Sequence, residues 1–303
     1  MKNISRRKAL ALLGGGLLAP VLTVYGLKIN LKTDSFKFAA IGDYGTDRKG
    51  RAQQVAALIK SWDPDYIITL GDNNYRQTKT DNIDWNVGKL FQEYIYPYKG
   101  KYGPGSPDGI NRFWPALGNH DWDDGGITEY LDYFTLPNNG RYYDVQIGPV
   151  HLFCINTDEE PDGVSANSKQ ALWLKEKLAT SSAPWRLVYM HRAPYSSGRD
   201  GGSHDVRWPF PKWGATAVLA GHVHNYERLE HKGIPYFVNG LGGNHKYRTV
   251  KPNPKSLVRY GLEHGAMRIS GNSRRIVFEF VNTLGQTIDR HEIVRPGFWT
   301  WIR

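Results

Sequence analysis

Cysteine is nearly missing from the 303 residues. Only Cys154 occurs, inside the strand-like run Val150-His151-Leu152-Phe153-Cys154-Ile155-Asn156, so no internal disulfide can form. A buried thiol in a protein that stays in the cytosol, or that is exported already folded, fits that count. Long apolar runs are equally scarce: residues 10–25 alone approach spanning length, and Gly14, Gly15, Gly16 and Pro20 interrupt them, which excludes a multi-span membrane protein. Internal repeats and long linkers are lacking too. Acidic residues are missing from the first 26 positions, which hold Lys2, Arg6, Arg7 and Lys8; the other 35 basic and 29 acidic residues leave +6 of the formal +10. That balance attracts anions such as phosphates without implying DNA or RNA. What is present, 40% apolar and 13% aromatic residues, can bury the core of one large domain or two modest ones and excludes intrinsic disorder.

The basic residues 1–8 followed by the interrupted apolar stretch read as a targeting peptide over 1–26. Ser5-Arg6-Arg7-Lys8-Ala9-Leu10 resembles a twin-arginine export signal, with Ala9 where a larger apolar residue is common. An ordinary signal peptide or a single anchor is the other reading. No clear A-x-A cleavage site is present, so release to the periplasm or exterior and anchoring both stay open. Residues 27–303 then form one domain.

From residue 36 onward, short apolar runs lead directly into polar and glycine residues. Run 36–41 enters Gly42-Asp43-Tyr44-Gly45, run 66–70 enters Gly71-Asp72-Asn73-Asn74-Tyr75, and run 113–117 enters Gly118-Asn119-His120-Asp121. Run 185–190 leads to His191, and 217–220 to Gly221-His222-Val223-His224. The spacing predicts helices over 51–61, 84–94 and 168–180 between them. The fold class is therefore α/β. Later runs at 234–239, 266–270 and 275–281 predict strands without intervening helices, and so a second, largely antiparallel sheet packed on the first.

Each block delivers Asp, Asn or His just past a strand, where open α/β sheets place ligand-binding residues. The combined carboxylates, amide, imidazoles and phenol form a mixed oxygen and nitrogen set that suits Fe, Zn or Mn. The lack of thiolates argues against a structural zinc finger. Seven groups exceed the needs of one ion. In His222-x-His224 an extended backbone points both imidazoles to one face, so two adjacent metals could each take one, with Asp72 the natural bridging carboxylate.

The five blocks, in this order, resemble the calcineurin-like metallophosphoesterases. Gly45 stands where the general family has a metal-binding histidine, and Tyr75 ends the second block, an exchange that resembles the purple acid phosphatases. The resemblance extends from about residue 36 to 288 and, in length, is to the small single-domain forms. It implies two packed mixed β-sheets flanked by helices, a four-layer αββα sandwich. It also implies an Fe(III) ion on Asp43, Tyr75 and His224, a bridging Asp72, and a divalent ion (Zn, Mn or Fe) on Asn119, His191 and His222.

Such a pair implies a hydrolase in which metal-activated water attacks phosphorus in line, without a protein nucleophile. His120, beside Asn119, is the first candidate to protonate the leaving alkoxide, and His204 the second, weighed against a plain loop histidine. Arg192 and Arg199 could add positive potential near the phosphate. Asn244-His245 follows a Gly-Leu-Gly-Gly turn that could approach the site, while the other histidines suit packing or surface roles. The expected partners are small phosphorylated substrates, with nucleic acid only as nucleotides and membrane only through an uncleaved N-terminal segment. A monoesterase of the purple type is the leading expectation. A diesterase or nucleotidase on the same centre, or a non-catalytic phosphate-binding relative, is the alternative.

Overall fold

Apolar residues within 36–41 alternate as the period of an extended chain requires: Phe38 and Ala40 pack into one core, Ala39 and Ile41 into another. The computed structural model describes residues 27–29, 34–46, 49–75, 82–123, 126–158, 161–246 and 255–296; the proposed targeting segment 1–26 lies outside them. The first half comprises β1 (Leu27–Ile29), β2 (Phe36–Ile41), α1 (Arg51–Ser61), β3 (Tyr66–Thr69), α2 (Lys89–Phe91), β4 (Phe113–Pro115), α3 (Gly126–Tyr133), β5 (Tyr143–Ile147) and β6 (Val150–Cys154). The second comprises α4 (Lys169–Thr180), β7 (Trp185–Arg192), α5 (Phe210–Trp213), β8 (Ala217–Gly221), β9 (Tyr226–His231), β10 (Ile234–Asn239), β11 (Ser256–Tyr260), β12 (Gly265–Gly271), β13 (Arg275–Asn282) and β14 (Thr287–Val294). Among the described residues no helix is long and apolar enough to cross a membrane.

Two mixed sheets stack face to face. One runs β1-β5-β6-β7-β8-β10-β9-β11 and the other β14-β13-β12-β2-β3-β4. Aromatic and β-branched side chains from both inner faces, among them Phe38, Trp114, Tyr143, Trp185, Phe237 and Phe278, form the central core. α1 and α3 cover the outer face of the six-stranded sheet, and α4 and α5 that of the eight-stranded one, giving the four αββα layers. Cys154 is fully buried.

Two expectations change in detail. The late strands do not make a separate antiparallel sheet: β12 pairs antiparallel with β2, which continues parallel into β3 and β4. The motif-bearing strands therefore divide between the sheets, β2, β3 and β4 in one and β7 and β8 in the other. A local hydrophobic pattern marks a strand but carries no information about its partner across the sandwich. Residues 84–94 also form no single helix. A π-helical turn (Asp84–Gly88), α2 and a 3₁₀ turn (Gln92–Tyr94) share the segment, and the Asp84 carboxylate at its start accepts hydrogen bonds from the Tyr98 and Tyr133 hydroxyls and from Lys101 N–H.

A candidate metal centre at the strand ends

The motifs meet where strands of both sheets end. Asp43, Asp72 and His222 take φ values of 58°, 55° and 68°, in the left-handed region that non-glycine residues rarely adopt. Such strain persists where surrounding contacts over-determine it. Here Asp43 N–H donates to the Gly71 carbonyl (3.1 Å), and Gly45 N–H to that of Asp72 (3.1 Å). His120 N–H donates to Asp72 Oδ1 (3.0 Å), and His222 N–H to Asp43 Oδ2 (2.9 Å). Glycine is needed at two of the crossings. A Cβ on Gly71, whose φ is +87°, would lie 2.5 Å from His191 Nδ1, and one on Gly118 would lie 2.2 Å from Asp72 Oδ1.

Backbone carbonyls set two tautomers. His191 Nδ1–H donates to the Leu70 carbonyl (2.8 Å) and His224 Nδ1–H to that of His245 (2.6 Å), so in each neutral ring the Nε2 lone pair turns inward. His191 Nε2 then meets Asn119 Oδ1 at 3.1 Å, Asp72 Oδ1 at 3.2 Å and His222 Nδ1 at 3.2 Å. His224 Nε2 meets Asp43 Oδ1 at 3.2 Å and the Tyr75 hydroxyl at 3.4 Å, while that hydroxyl lies 3.2 Å from Asp43 Oδ1. One ligand atom each from Asp43, Asp72 and His224 fall within 4.8 Å of one another. Acceptors gathered in this way, in a buried place, fit cations.

The electrostatics express the same demand for positive charge. Burial raises the Asp43 pKa, but the hydrogen bond and charge of His224 outweigh it and leave it below the usual range. At Asp72 burial prevails over the pull of His191 and, with Asp43 nearby, leaves the pKa raised. Burial opposes charge on His191 and His224, yet the carboxylates lift both above an ordinary imidazole. His222 is pushed down to about 3, by burial and then by His191. Burial, then Asp72 and Asp43, holds the Tyr75 phenol well above its usual value, so only a strongly polarising cation would draw off its proton.

All seven residues expected as ligands thus come together. His120 also arrives: it lines a cleft of about 530 Å³ with Asp72, Tyr75, Arg192, His222 and His245. Its ring lies 4.5 Å from that of Tyr75, and its Nδ1 is 2.7 Å from Asp123 Oδ2. His204 does not arrive. It is exposed, does not line the cleft, and its Nδ1 lies 3.1 Å from Arg207 Nη1. The turn after β10 brings His245 in instead, 4.7 Å ring to ring from His224. Burial lowers the His245 pKa, as do His224 and Arg199, while Asp200 raises it.

Sequence reasoning passed over Asp121. Its buried carboxylate accepts N–H groups from Gly118 (2.8 Å), Asn73 (3.2 Å) and Asn74 (3.0 Å), tying the Tyr75 loop to the Asn119 loop. Burial and then the charge of Asp72 push its pKa to about 7 against those donors. Its place beside His120 in the third block was the available signal.

Comparison with known proteins gives the family and the fold. The pattern of the calcineurin-like phosphoesterases matches residues 36–226, from β2 to the start of β9. The chain belongs to the calcineurin-like phosphoesterase family. Human tartrate-resistant acid phosphatase type 5 is 23% identical over 87% of this phosphoesterase chain and 92% of its own. The solved purple acid phosphatase PPD1 of yellow lupin seeds superposes with a TM-score of 0.69 at 17% identity, covering 86% of this chain and 54% of that one. GAP50, the anchor in the inner membrane complex of Plasmodium, superposes at 0.67 with 21% identity, covering 88% and 90%. These likenesses are of fold.

Proposed function

We propose that the protein is an exported, metal-dependent phosphomonoesterase of the purple acid phosphatase type. The observation that carries this reading is Tyr75, whose hydroxyl sits in hydrogen-bond range of both Asp43 and His224 in place of a further histidine. Asp43, Tyr75 and His224 would hold Fe(III), and Asn119, His191 and His222 a divalent ion, with Asp72 between them. When bound, such a pair acidifies water and draws charge from the phosphoryl oxygens.

The chain's own residues do the rest. Carbonyls of Leu70 and His245 orient the imidazoles without a mobile side chain. Arg192, 3.4 Å from both His222 Nε2 and Asp158 Oδ1, holds a guanidinium at the cleft wall for a phosphate oxygen. His120, turned by Asp123 and packed on Tyr75, offers its other ring nitrogen to protonate the leaving alcohol.

Metal-loaded protein should hydrolyse p-nitrophenyl phosphate and leave bis-p-nitrophenyl phosphate essentially untouched. Faster turnover of the diester moves the function to a phosphodiesterase, and turnover of neither leaves a non-catalytic relative.

A further inference from the structure

The segment that follows β7 closes on itself beside the cleft. Ser203 N–H donates to the Ala193 carbonyl (2.8 Å), and Gly201 N–H to that of Gly198 (3.0 Å), which puts Arg199 and Asp200 at the two central positions of a tight turn. The base of the turn is fastened from below. Glu227 Oε2, on β9, accepts the Ser196 hydroxyl (3.0 Å) and Ser197 N–H (2.8 Å), and Ser196 Oγ accepts Gly198 N–H (3.0 Å). Glu227 and Ser197 are buried, and a Cβ on Gly198 would come within 2.2 Å of Val223 Cγ1, between the two histidines of the last motif. The turn is therefore held against the metal-candidate loops.

Its tip lines the cleft: Asp200 shares the wall with Tyr75, His120, Arg192, His222 and His245. The carboxylate is exposed, and its charge reaches His245 on the same wall. A site that bound only a phosphate dianion would be weakened by a carboxylate at its edge, since like charges repel. The same carboxylate is an asset when the substrate carries positive charge a few bonds from phosphorus. We propose that Asp200 selects phosphate monoesters whose alcohol portion bears an ammonium group, as in phosphorylated amino alcohols. The inference deepens, and rests on, the phosphomonoesterase reading of the same cleft.

Two esters of equal size test it: 2-aminoethyl phosphate and 2-hydroxyethyl phosphate, which differ by an ammonium against a hydroxyl. The metal-loaded full-length protein should favour the aminoethyl ester in kcat/KM by roughly 1.5- to five-fold at low ionic strength, the scale of an exposed charge pair. Added salt near about 1 M should bring the ratio towards one. Asp200→Asn should collapse the ratio, whereas Asp205→Asn, exposed on the same segment and outside the cleft, should keep it. Equal kcat/KM in the unaltered protein, or a preference that survives Asp200→Asn, overturns the assignment.

Calorimetric binding of the same esters separates this result from the fate of the parent reading. If neither ester is hydrolysed, yet the aminoethyl ester binds more tightly and Asp200→Asn abolishes the difference, Asp200 keeps its role while the phosphomonoesterase reading falls. Equal binding of the two esters overturns the role of Asp200.

Discussion

Tyr75 distinguishes this site from one built on a further histidine. Its phenol is buried and faces two carboxylates, conditions that resist ionisation, so a phenolate here reports a strongly charged partner. Oxidised, iron-loaded protein should show a visible charge-transfer band. Tyr75→Phe keeps the ring that packs on His120, and it should abolish the band. Ferric binding should weaken by at least roughly 10–100-fold, the scale on which loss of even an outer partner of a ligand acts. An unchanged spectrum in the variant would remove Tyr75 from the iron site. The glycines of the motifs belong to the same scale: Gly71 and Gly118 stand where a methyl group would strike His191 and Asp72, so their role is steric.

Among the elements, the β5–β6 hairpin shows how a buried charge supports the scaffold at a distance from the cleft. Asp144, on β5, lies 2.9 Å from His151 Nε2 on β6 and 3.2 Å from Lys177 Nζ on α4. Burial raises its pKa, but the His151 hydrogen bond and the Lys177 charge prevail and hold it below the reference value of 3.8. Because the folded pKa is depressed, the stabilisation is present above the unfolded value of about 4 and disappears as pH falls through the folded one. Asp144→Asn should therefore lower unfolding free energy at pH 7 by about 1–3 kcal/mol. Denaturant titrations at decreasing pH should show the gap between variant and parent closing below about pH 4. A gap that does not change with pH would mean that packing, and not charge, sets the loss.

For the whole molecule, the two sheets must keep their relation because the candidate ligands come from both. Asp289 on β14 accepts the Tyr226 hydroxyl (2.7 Å) and Arg228 Nε (2.7 Å) from β9, joining the six-stranded sheet to the eight-stranded one. Tyr143 makes a second tie, donating from β5 to the Pro115 carbonyl of β4 (2.7 Å). Asp289→Ala strands a phenol and a guanidinium, and should cost about 3–5 kcal/mol of stability. Thermal unfolding would measure this, and chelator-driven release of metal from the same variant should be faster if the inter-sheet relation positions the centre. An unaltered melting temperature would show the tie to be dispensable.

The sequence by itself determined the α/β class, the strands that carry the five blocks and the seven candidate ligands from Asp43 to His224. These are legible because strand period, turn glycines and donor chemistry are all local properties of a short run. Only the tertiary structure decided which sheet each strand joins, since β2 can pair with β12 only after more than two hundred intervening residues have folded back. It likewise decided between His204 and His245: the first follows closely after His191 in sequence yet points to Arg207, and the second comes from the far side of β10 to stand against His224. Proximity across a cleft arises from loop closure between distant segments, and no local pattern encodes where such a closure will end.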